Sequence, residues 1–190
     1  MVRSKPVYSF EEADSKNRML LGGKGAGLSE MTRLKLPVPA GFTITTEVCN
    51  KYYDDNNKLP KDLMPAVMKN IAKMEKKTGK KWNSIKNPLL VSVRSGAATS
   101  MPGMMDTILN LGLNEKTVEG LAEQTKNPRF SWDSYRRFIQ LFGKVVFGIN
   151  DEKFDHVLDT VKEKQGITDD SKLNVESLKT IVLQYKKICE

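Results

Sequence analysis

Apolar residues recur every three or four positions through much of the chain, which is the spacing of a helix that packs by one face. The clearest stripe is Leu63, Val67, Ile71 and Met74, and it predicts a helix that ends at Gly79. Further stripes at the same spacing predict helices around these residues: Leu28, Val118, Tyr135, Phe154 and Leu178. The chain is therefore expected to be mainly helical in its second half.

Polar residues that can cap helices stand before several of these stripes. Thr46 can cap a short helix that reaches Tyr53, and Gly166 can end the helix that contains Phe154. The expected caps of the last four helices are Asn114, Ser131, Asp151 and Asn174.

Two stretches predict strands. Residues 42–45 alternate apolar with polar side chains, as a half-buried strand does. Residues 89–94 are densely apolar, which indicates a strand in the interior of a sheet, and Arg94 stands at its exit. Strands cluster before about residue 113, so the sequence predicts an α+β fold that divides into an α/β subdomain, 1–113, and a helical subdomain, 114–190.

The charge balance favours an anionic partner. Lysine and arginine number 31 against 23 acidic residues, a formal net charge of +8, which does not choose among nucleotide, nucleic acid and membrane. No apolar run approaches the roughly 20 residues of a membrane span, and residues 1–10 lack the apolar core of a signal peptide; a cytoplasmic protein without a membrane partner is expected. Lys76-Lys77 and Lys80-Lys81 lack interleaved aromatic residues, which favours a solvated charge run over a nucleic-acid interface.

The segment Gly22-Gly23-Lys24-Gly25-Ala26-Gly27 is the first candidate for chemistry. Its glycines let backbone amides approach an anion at the start of the following helix, and Lys24 adds a mobile charge. The segment is not a Walker A loop, because neither Ser nor Thr follows Lys24. A glycine turn that permits close helix packing, with Lys24 in solvent, explains the same residues equally well.

Arg94 and the loop after it are the second candidate. An arginine at a strand end, followed by the small residues Ser95, Gly96 and Ala97, can bind a phosphate through its planar fork. A structural ion pair with a carboxylate is the alternative for Arg94. The loop Ser100-Met101-Pro102-Gly103-Met104-Met105-Asp106 reads by composition as a hydrophobic plug of soft methionine side chains.

Taken together, these segments resemble the nucleotide-binding domain of the pyruvate, phosphate dikinase family. The resemblance runs over nearly the whole chain and rests on these stretches: 21–25 (LGGKG), 36–46 (LPVPAGFTITT), 88–96 (PLLVSVRSG), 100–113 (SMPGMMDTILNLGL), 127–130 (NPRF) and 133–138 (DSYRRF). It implies the first lobe of an ATP-grasp-like, nucleotide-binding domain. Enzymes of this family interconvert ATP, phosphate and pyruvate with AMP, pyrophosphate and phosphoenolpyruvate through a phosphohistidine on a separate domain.

The resemblance also implies roles for individual residues. Lys24 matches the lysine that contacts the ATP phosphates, and Arg94 matches the arginine that stabilises the transferring phosphoryl group. Gly103, Met104 and Met105 match the segment beside the terminal phosphate. Arg137 matches an arginine implicated in docking the histidine domain, although a solvated Arg136-Arg137 pair on an amphipathic helix is an equal alternative. Lys24 and Arg94 are expected to point into one cleft.

Groups that such a reaction needs are missing from this sequence. The family's Mg²⁺ ligands lie in a second lobe, so the metal that accompanies ATP is expected to be held outside this chain, and no metal site is predicted within it. The single histidine, His156, lacks the family's phosphohistidine surroundings and is expected to be an ordinary surface residue. The resemblance implies three kinds of partner: ATP, the phosphohistidine and pyruvate-binding domains of the same enzyme, and a second subunit that binds through domains outside this sequence.

Two alternatives to a dikinase remain open from the sequence. Phosphoenolpyruvate synthase shares the glycine-lysine segment and the strand-end arginine, but it usually lacks the methionine loop and the residues that follow it. A non-catalytic module that binds a nucleotide or a partner without turnover belongs to a different class. The isolated chain is expected to fold without catalysing the reaction, and to bind ATP weakly.

Overall fold

A computed structural model describes residues 4–96 and 107–190 and shows the predicted α+β class: seven α-helices and two small antiparallel sheets within these residues. The described residues form two compact units. The first unit contains residues 4–79 with 95–96, and the second contains residues 80–94 with 107–190. In the described part of the chain, no helix has both the length and the apolar content needed to cross a membrane.

The first unit is built from a two-stranded ribbon and three helices. Its elements are β1 (Val7–Ser9), α1 (Arg18–Arg33), β2 (Phe42–Ile44), α2 (Thr46–Asp54) and α3 (Leu63–Thr78). β1 and β2 pair antiparallel, with Val7 opposite Ile44. Val7, Val48 and Leu63 form the small buried core where the ribbon meets α2 and α3.

The helix α1 is broken near its start. Gly22 has φ 69° and ψ 165°, so a single turn precedes it and the helix resumes at Gly23. A left-handed φ favours glycine, which explains the residue at this break. Gly25 has a different reason to be glycine, because a Cβ there would lie 2.8 Å from the Thr43 side chain on β2. The break and the close approach together place Lys24 in the first turn of the resumed helix.

The second unit joins a two-stranded sheet to four helices. Its elements are β3 (Val91–Arg94), β4 (Thr107–Leu111), α4 (Glu115–Thr125), α5 (Pro128–Phe147), α6 (Asp151–Lys164) and α7 (Val175–Cys189). The core lies among the helices, and its buried members are these: Leu113, Val118, Trp132, Tyr135, Ile139, Phe154, Leu158, Val161, Leu173, Leu178, Ile181, Val182 and Tyr185. This core is the larger of the two described.

The structure corrects the prediction that residues 89–94 form an interior strand. Only residues 91–94 are extended as a strand, they pair with β4 in a two-stranded sheet within the described residues, and Ser92, Val93 and Arg94 are exposed. The apolar content has another cause: Leu89 is buried just before the strand begins. The apolar content of a segment therefore indicates that part of it is buried, but it does not indicate how many strands lie beside it.

Three of the five expected caps are also corrected. Asn114 and Asn174 cap α4 and α7 as predicted. The cap of α5 is Asn127, which precedes Pro128, and not Ser131. The cap position of α6 is Asn150 and not Asp151, and that of α2 is Thr45 and not Thr46. In each case a residue earlier in the chain takes the cap, so the helix gains length at its start.

The boundary between the units differs from the one expected after residue 113. The chain passes from the first to the second unit between Gly79 and Lys80, and β3 and β4 belong with the helices that follow. β4 contacts α5 extensively, which explains this membership. The functional division into a nucleotide-binding part and a helical part remains a prediction.

Candidate functional site

Lys24 occupies the first turn of the resumed helix in the first unit. Its side chain is half-buried and makes no hydrogen bond or ion pair with a described residue. The helix that it begins continues to Arg33, so the positive end of a helix of ordinary length lies at Lys24. An ammonium group with no partner among the described residues is chemically suited to an anion at this end, and phosphate binding by Lys24 remains a prediction.

The turn before the break is tied to the start of α2. The Thr46 hydroxyl donates to the Met19 carbonyl at 2.6 Å and lies 3.3 Å from the Leu20 carbonyl. After the break, the Ser29 hydroxyl donates to the Gly25 carbonyl at 2.9 Å inside the unit. The glycine-lysine segment is therefore held from both sides and is not a loose loop.

A cleft of about 340 Å³ lies beside α1, but Lys24 does not line it. Lys16, Arg18 and Arg33 bring positive charge to this cleft, and Glu30 is its carboxylate. Arg33 donates from Nε to Glu30 at 3.0 Å and Ser15 donates at 2.5 Å, and these hydrogen bonds lower the pKa of Glu30 from 4.5 to about 2. The cleft therefore gives no support for the phosphate site predicted at Lys24.

Arg94 ends β3 in the second unit. It stands opposite Thr107 in the ladder, its side chain is exposed, and it makes no ion pair with a described residue. The structural ion pair that was its alternative is absent from the described residues. Because Lys24 lies in the first unit and Arg94 in the second, the shared cleft remains a prediction. Gly103, Met104 and Met105 lie outside the described residues.

Arg137 and Arg136 have different environments on α5, which corrects the interpretation of a solvated pair. Arg136 is only 3% exposed, and it binds Asp133 through Nε at 2.9 Å and Nη2 at 2.8 Å. Burial lowers the pKa of the Arg136 guanidinium, but the Asp133 carboxylate outweighs this effect, and the pKa is raised. Arg137 is 60% exposed and contacts the other oxygen of Asp133 at 3.0 Å.

The sequence reasoning did not identify Asp133 as a residue that links these two arginines. A signal was available, since Asp133 stands three and four residues before them, which places all three on one helix face. Which arginine is buried depends on packing against other helices, and the sequence pattern does not decide it.

The described residues offer no site that fits a magnesium ion. Among them, no group of three or more His, Cys, Asp or Glu side chains converges to hold a metal. Mg²⁺ requires several oxygen ligands in a nearly octahedral arrangement, and some of the described carboxylates, such as Asp133 and Glu30, are instead paired with arginine. His156 is exposed on α6, as expected of a surface residue.

Comparisons with known proteins address the chain as a whole. The family model for the pyruvate phosphate dikinase AMP/ATP-binding domain matches residues 18–59 and 55–189. The chain is 53% identical over 184 residues to pyruvate, phosphate dikinase of Entamoeba histolytica, covering 97% of this chain and 21% of that protein. It is 48% identical over 185 residues to the Clostridium symbiosum enzyme, covering 97% and 21% of the two chains.

The Giardia intestinalis enzyme of the same name is 52% identical over 193 residues, which cover 98% of this chain and 22% of that protein. The chain thus spans about a fifth of the length of the curated relatives that it matches. The match includes the glycine-lysine segment, Arg94 and Arg137, since all of them fall between residues 18 and 189. The chain belongs to the pyruvate phosphate dikinase AMP/ATP-binding domain family.

Proposed function

We propose that this chain binds ATP as part of a pyruvate, phosphate dikinase. In that reaction ATP, phosphate and pyruvate are converted to AMP, pyrophosphate and phosphoenolpyruvate through a phosphohistidine on another domain. The match to the AMP/ATP-binding domain family over residues 18–189 carries the proposal. The relatives reported above bear the dikinase name, so a phosphoenolpyruvate synthase is not proposed.

Lys24 and Arg94 have separate roles in this proposal. Lys24 binds the phosphates of ATP through its ammonium group, which has no partner among the described residues and lies at the positive end of a helix. Arg94 presents an exposed guanidinium that stabilises charge on the phosphoryl group during transfer. Gly103, Met104 and Met105 complete the set of residues proposed to bind ATP in an ATP-grasp-like lobe.

The remaining parts of the proposal concern groups outside this chain. Magnesium accompanies ATP and is held by carboxylates elsewhere in the enzyme, since the described residues do not fit it. Arg137 contacts the domain that carries the phosphohistidine, through the guanidinium nitrogens that Asp133 does not occupy. The enzyme is cytoplasmic and is able to dimerise through other domains.

Substitution of Arg94 in the complete enzyme tests the division of roles. Arg94→Ala should slow ATP-dependent phosphorylation of the histidine roughly 100- to 1000-fold while it weakens ATP binding much less, because the charge matters most during transfer. Lys153→Ala is the matched control, since Lys153 is an exposed cation in the same unit and should leave both quantities unchanged. Equal losses of binding and transfer in Arg94→Ala would refute the proposed role.

The 190-residue chain provides a second test by calorimetry. It contains Lys24, Arg94 and the loop amides but lacks a described metal site, so ATP should bind with a Kd of about 1 mM. Raising the salt concentration should weaken this binding strongly, because the contacts are charged and partly exposed. Tight binding at physiological salt, or AMP formation from ATP and phosphate by this chain alone, would contradict the proposed division between this chain and the rest of the enzyme.

A further inference from the structure

The hydroxyl group of Thr46 contacts the broken helix at a place that matters for the glycine-lysine segment. In an uninterrupted helix, the carbonyls of Met19 and Leu20 would accept the N–H groups of Gly23 and Lys24. The Thr46 hydroxyl donates to the Met19 carbonyl at 2.6 Å and lies 3.3 Å from the Leu20 carbonyl, so its one proton takes the place of the Gly23 N–H. The contact joins residues 26 and 27 positions apart in the chain.

We infer that Thr46 is a positioning residue that keeps the N–H groups of Gly23 and Lys24 free for a phosphate of ATP. This inference rests on the proposed function. Thr46 donates its one proton to the Met19 carbonyl, Gly22 supplies the break with its φ of 69°, and Gly23 and Lys24 stand at the start of the resumed helix, where an N–H group has no acceptor one turn earlier. Lys24 then contributes both its main-chain N–H and its ammonium group.

Removal of the Thr46 hydroxyl has a specific consequence under this inference. In Thr46→Val the Met19 carbonyl loses its donor and the Leu20 carbonyl loses a nearby polar group, and a carbonyl without a partner is unfavourable. The nearest available donors are the N–H groups of Gly23 and Lys24, so the helix should become continuous across Gly22. These two amides should then gain protection from hydrogen exchange, whereas simple local unfolding would reduce protection.

The neighbouring Thr45 provides a matched control. Its hydroxyl oxygen is buried and has no hydrogen-bond partner among the described residues, and it makes no side-chain cap to α2. Thr45→Val therefore removes a hydroxyl from the same strand–helix junction without removing a hydrogen bond to the broken turn. Thr46→Ser keeps the hydroxyl and should behave as the natural chain does.

Amide NMR of the 190-residue chain tests the inference in two ways. Without ligand, the Gly23 and Lys24 amides should exchange with solvent quickly in the natural chain and more slowly in Thr46→Val. With ATP, the same two resonances should shift, adenosine should not shift them, and Thr46→Val should weaken the binding roughly tenfold, the effect of losing a charge-assisted hydrogen bond. Thr46→Ser and Thr45→Val should match the natural chain in both measurements.

Two results would overturn the role of Thr46. One is protection of the Gly23 and Lys24 amides already in the natural chain; the other is faster exchange across the whole turn in Thr46→Val. Unchanged ATP binding by Thr46→Val would refute it as well. If ATP shifts no resonance of the natural chain, the proposed function fails, and the exchange measurement without ligand still decides whether Thr46 controls these amides.

Discussion

Gly120 in α4 allows an unusually close contact between a helix and a main chain. A Cβ built at Gly120 would lie 1.4 Å from the carbonyl oxygen of Ile85 and 2.6 Å from its carbonyl carbon. Both atoms belong to the main chain of the segment that leads to β3, so they cannot turn aside as the end of a side chain can. Gly120→Ala should therefore force α4 away from this segment.

The expected loss of stability follows from the displacement. A real Cβ contact rarely falls under 3.0 Å, so the two elements must separate by about 1.6 Å. The Gln124 side-chain amide donates hydrogen bonds across the same contact, to the Lys86 carbonyl at 2.9 Å and to the Asn87 side chain at 2.8 Å. A separation of about 1.6 Å breaks both hydrogen bonds. Overpacking costs about 1–3 kcal/mol, and the loss of each neutral hydrogen bond costs about 1 kcal/mol. These costs exceed the roughly 1 kcal/mol that alanine gains over glycine in a helix.

The net destabilisation of Gly120→Ala should be about 2–4 kcal/mol, measured as the free energy of unfolding in urea. Tryptophan fluorescence is suited to this measurement because both tryptophans, Trp82 and Trp132, lie in the second unit with Gly120. Gly27→Ala is the opposite control: a Cβ there meets nothing within 4 Å, so far-UV circular dichroism should show equal or higher stability. A stabilised Gly120→Ala variant would refute the steric argument, because helix propensity alone would then decide the sign.

Two further predictions concern charged groups on the helices. Asp133→Asn should destabilise the chain by about 3 kcal/mol in urea unfolding, because Arg136 is buried and loses its only described carboxylate. Arg137→Ala should change the free energy of unfolding by less than about 1 kcal/mol, because the Arg137 side chain is exposed. Equal effects of the two substitutions would contradict the difference in burial. Hydrogen bonding by Arg33 lowers the pKa of Glu30 to about 2, so the stabilisation from Glu30 is present above about pH 4.5 and is lost as pH falls towards 2. The free energy of unfolding, measured between about pH 4.5 and pH 2, should depend less on pH in Glu30→Gln than in the natural chain. An identical pH profile in the two chains would show that Glu30 does not contribute to the pH dependence.

Periodicity predicted the helices well because each of them buries one face. The stripe from Leu63 to Met74 predicts α3, and Gly79 ends it in the left-handed conformation at φ 69°. Pairing between strands was harder to predict, since β1 and β4 were not anticipated and the interior position of residues 89–94 was wrong. A strand of three to five residues has too few positions to show alternation clearly, and its burial depends on elements distant in the sequence.

Lys24 and Arg94 were candidates from the residues themselves, the family resemblance assigned roles to them and to Arg137, and these roles remain predictions. The local environments of the side chains could not be predicted from the sequence. Arg136 and Arg137 are adjacent and chemically identical, yet one is buried against Asp133 and the other is exposed. Thr45 and Thr46 are also adjacent and identical, yet their hydroxyl groups have different contacts. The Thr46 hydroxyl donates to the Met19 carbonyl, whereas the Thr45 hydroxyl has no hydrogen-bond partner among the described residues. In both pairs, neighbouring side chains point in different directions because they are adjacent on or at the start of a helix. The periodicity of the sequence does not show which of the two directions leads to a packed neighbour.

The two explanations of the glycine-lysine segment, close packing and phosphate binding, are compatible once each glycine is considered separately. Gly25 serves packing, because Thr43 leaves no room for a Cβ. Gly22 serves the break, because its φ of 69° lies in the left-handed region. Lys24 stands between them, so the packing of Gly25 against β2 and the break at Gly22 fix its main chain. Under the proposed function, a segment held in this way loses little conformational entropy when an anion binds, which is an advantage for a lysine between two structurally required glycines.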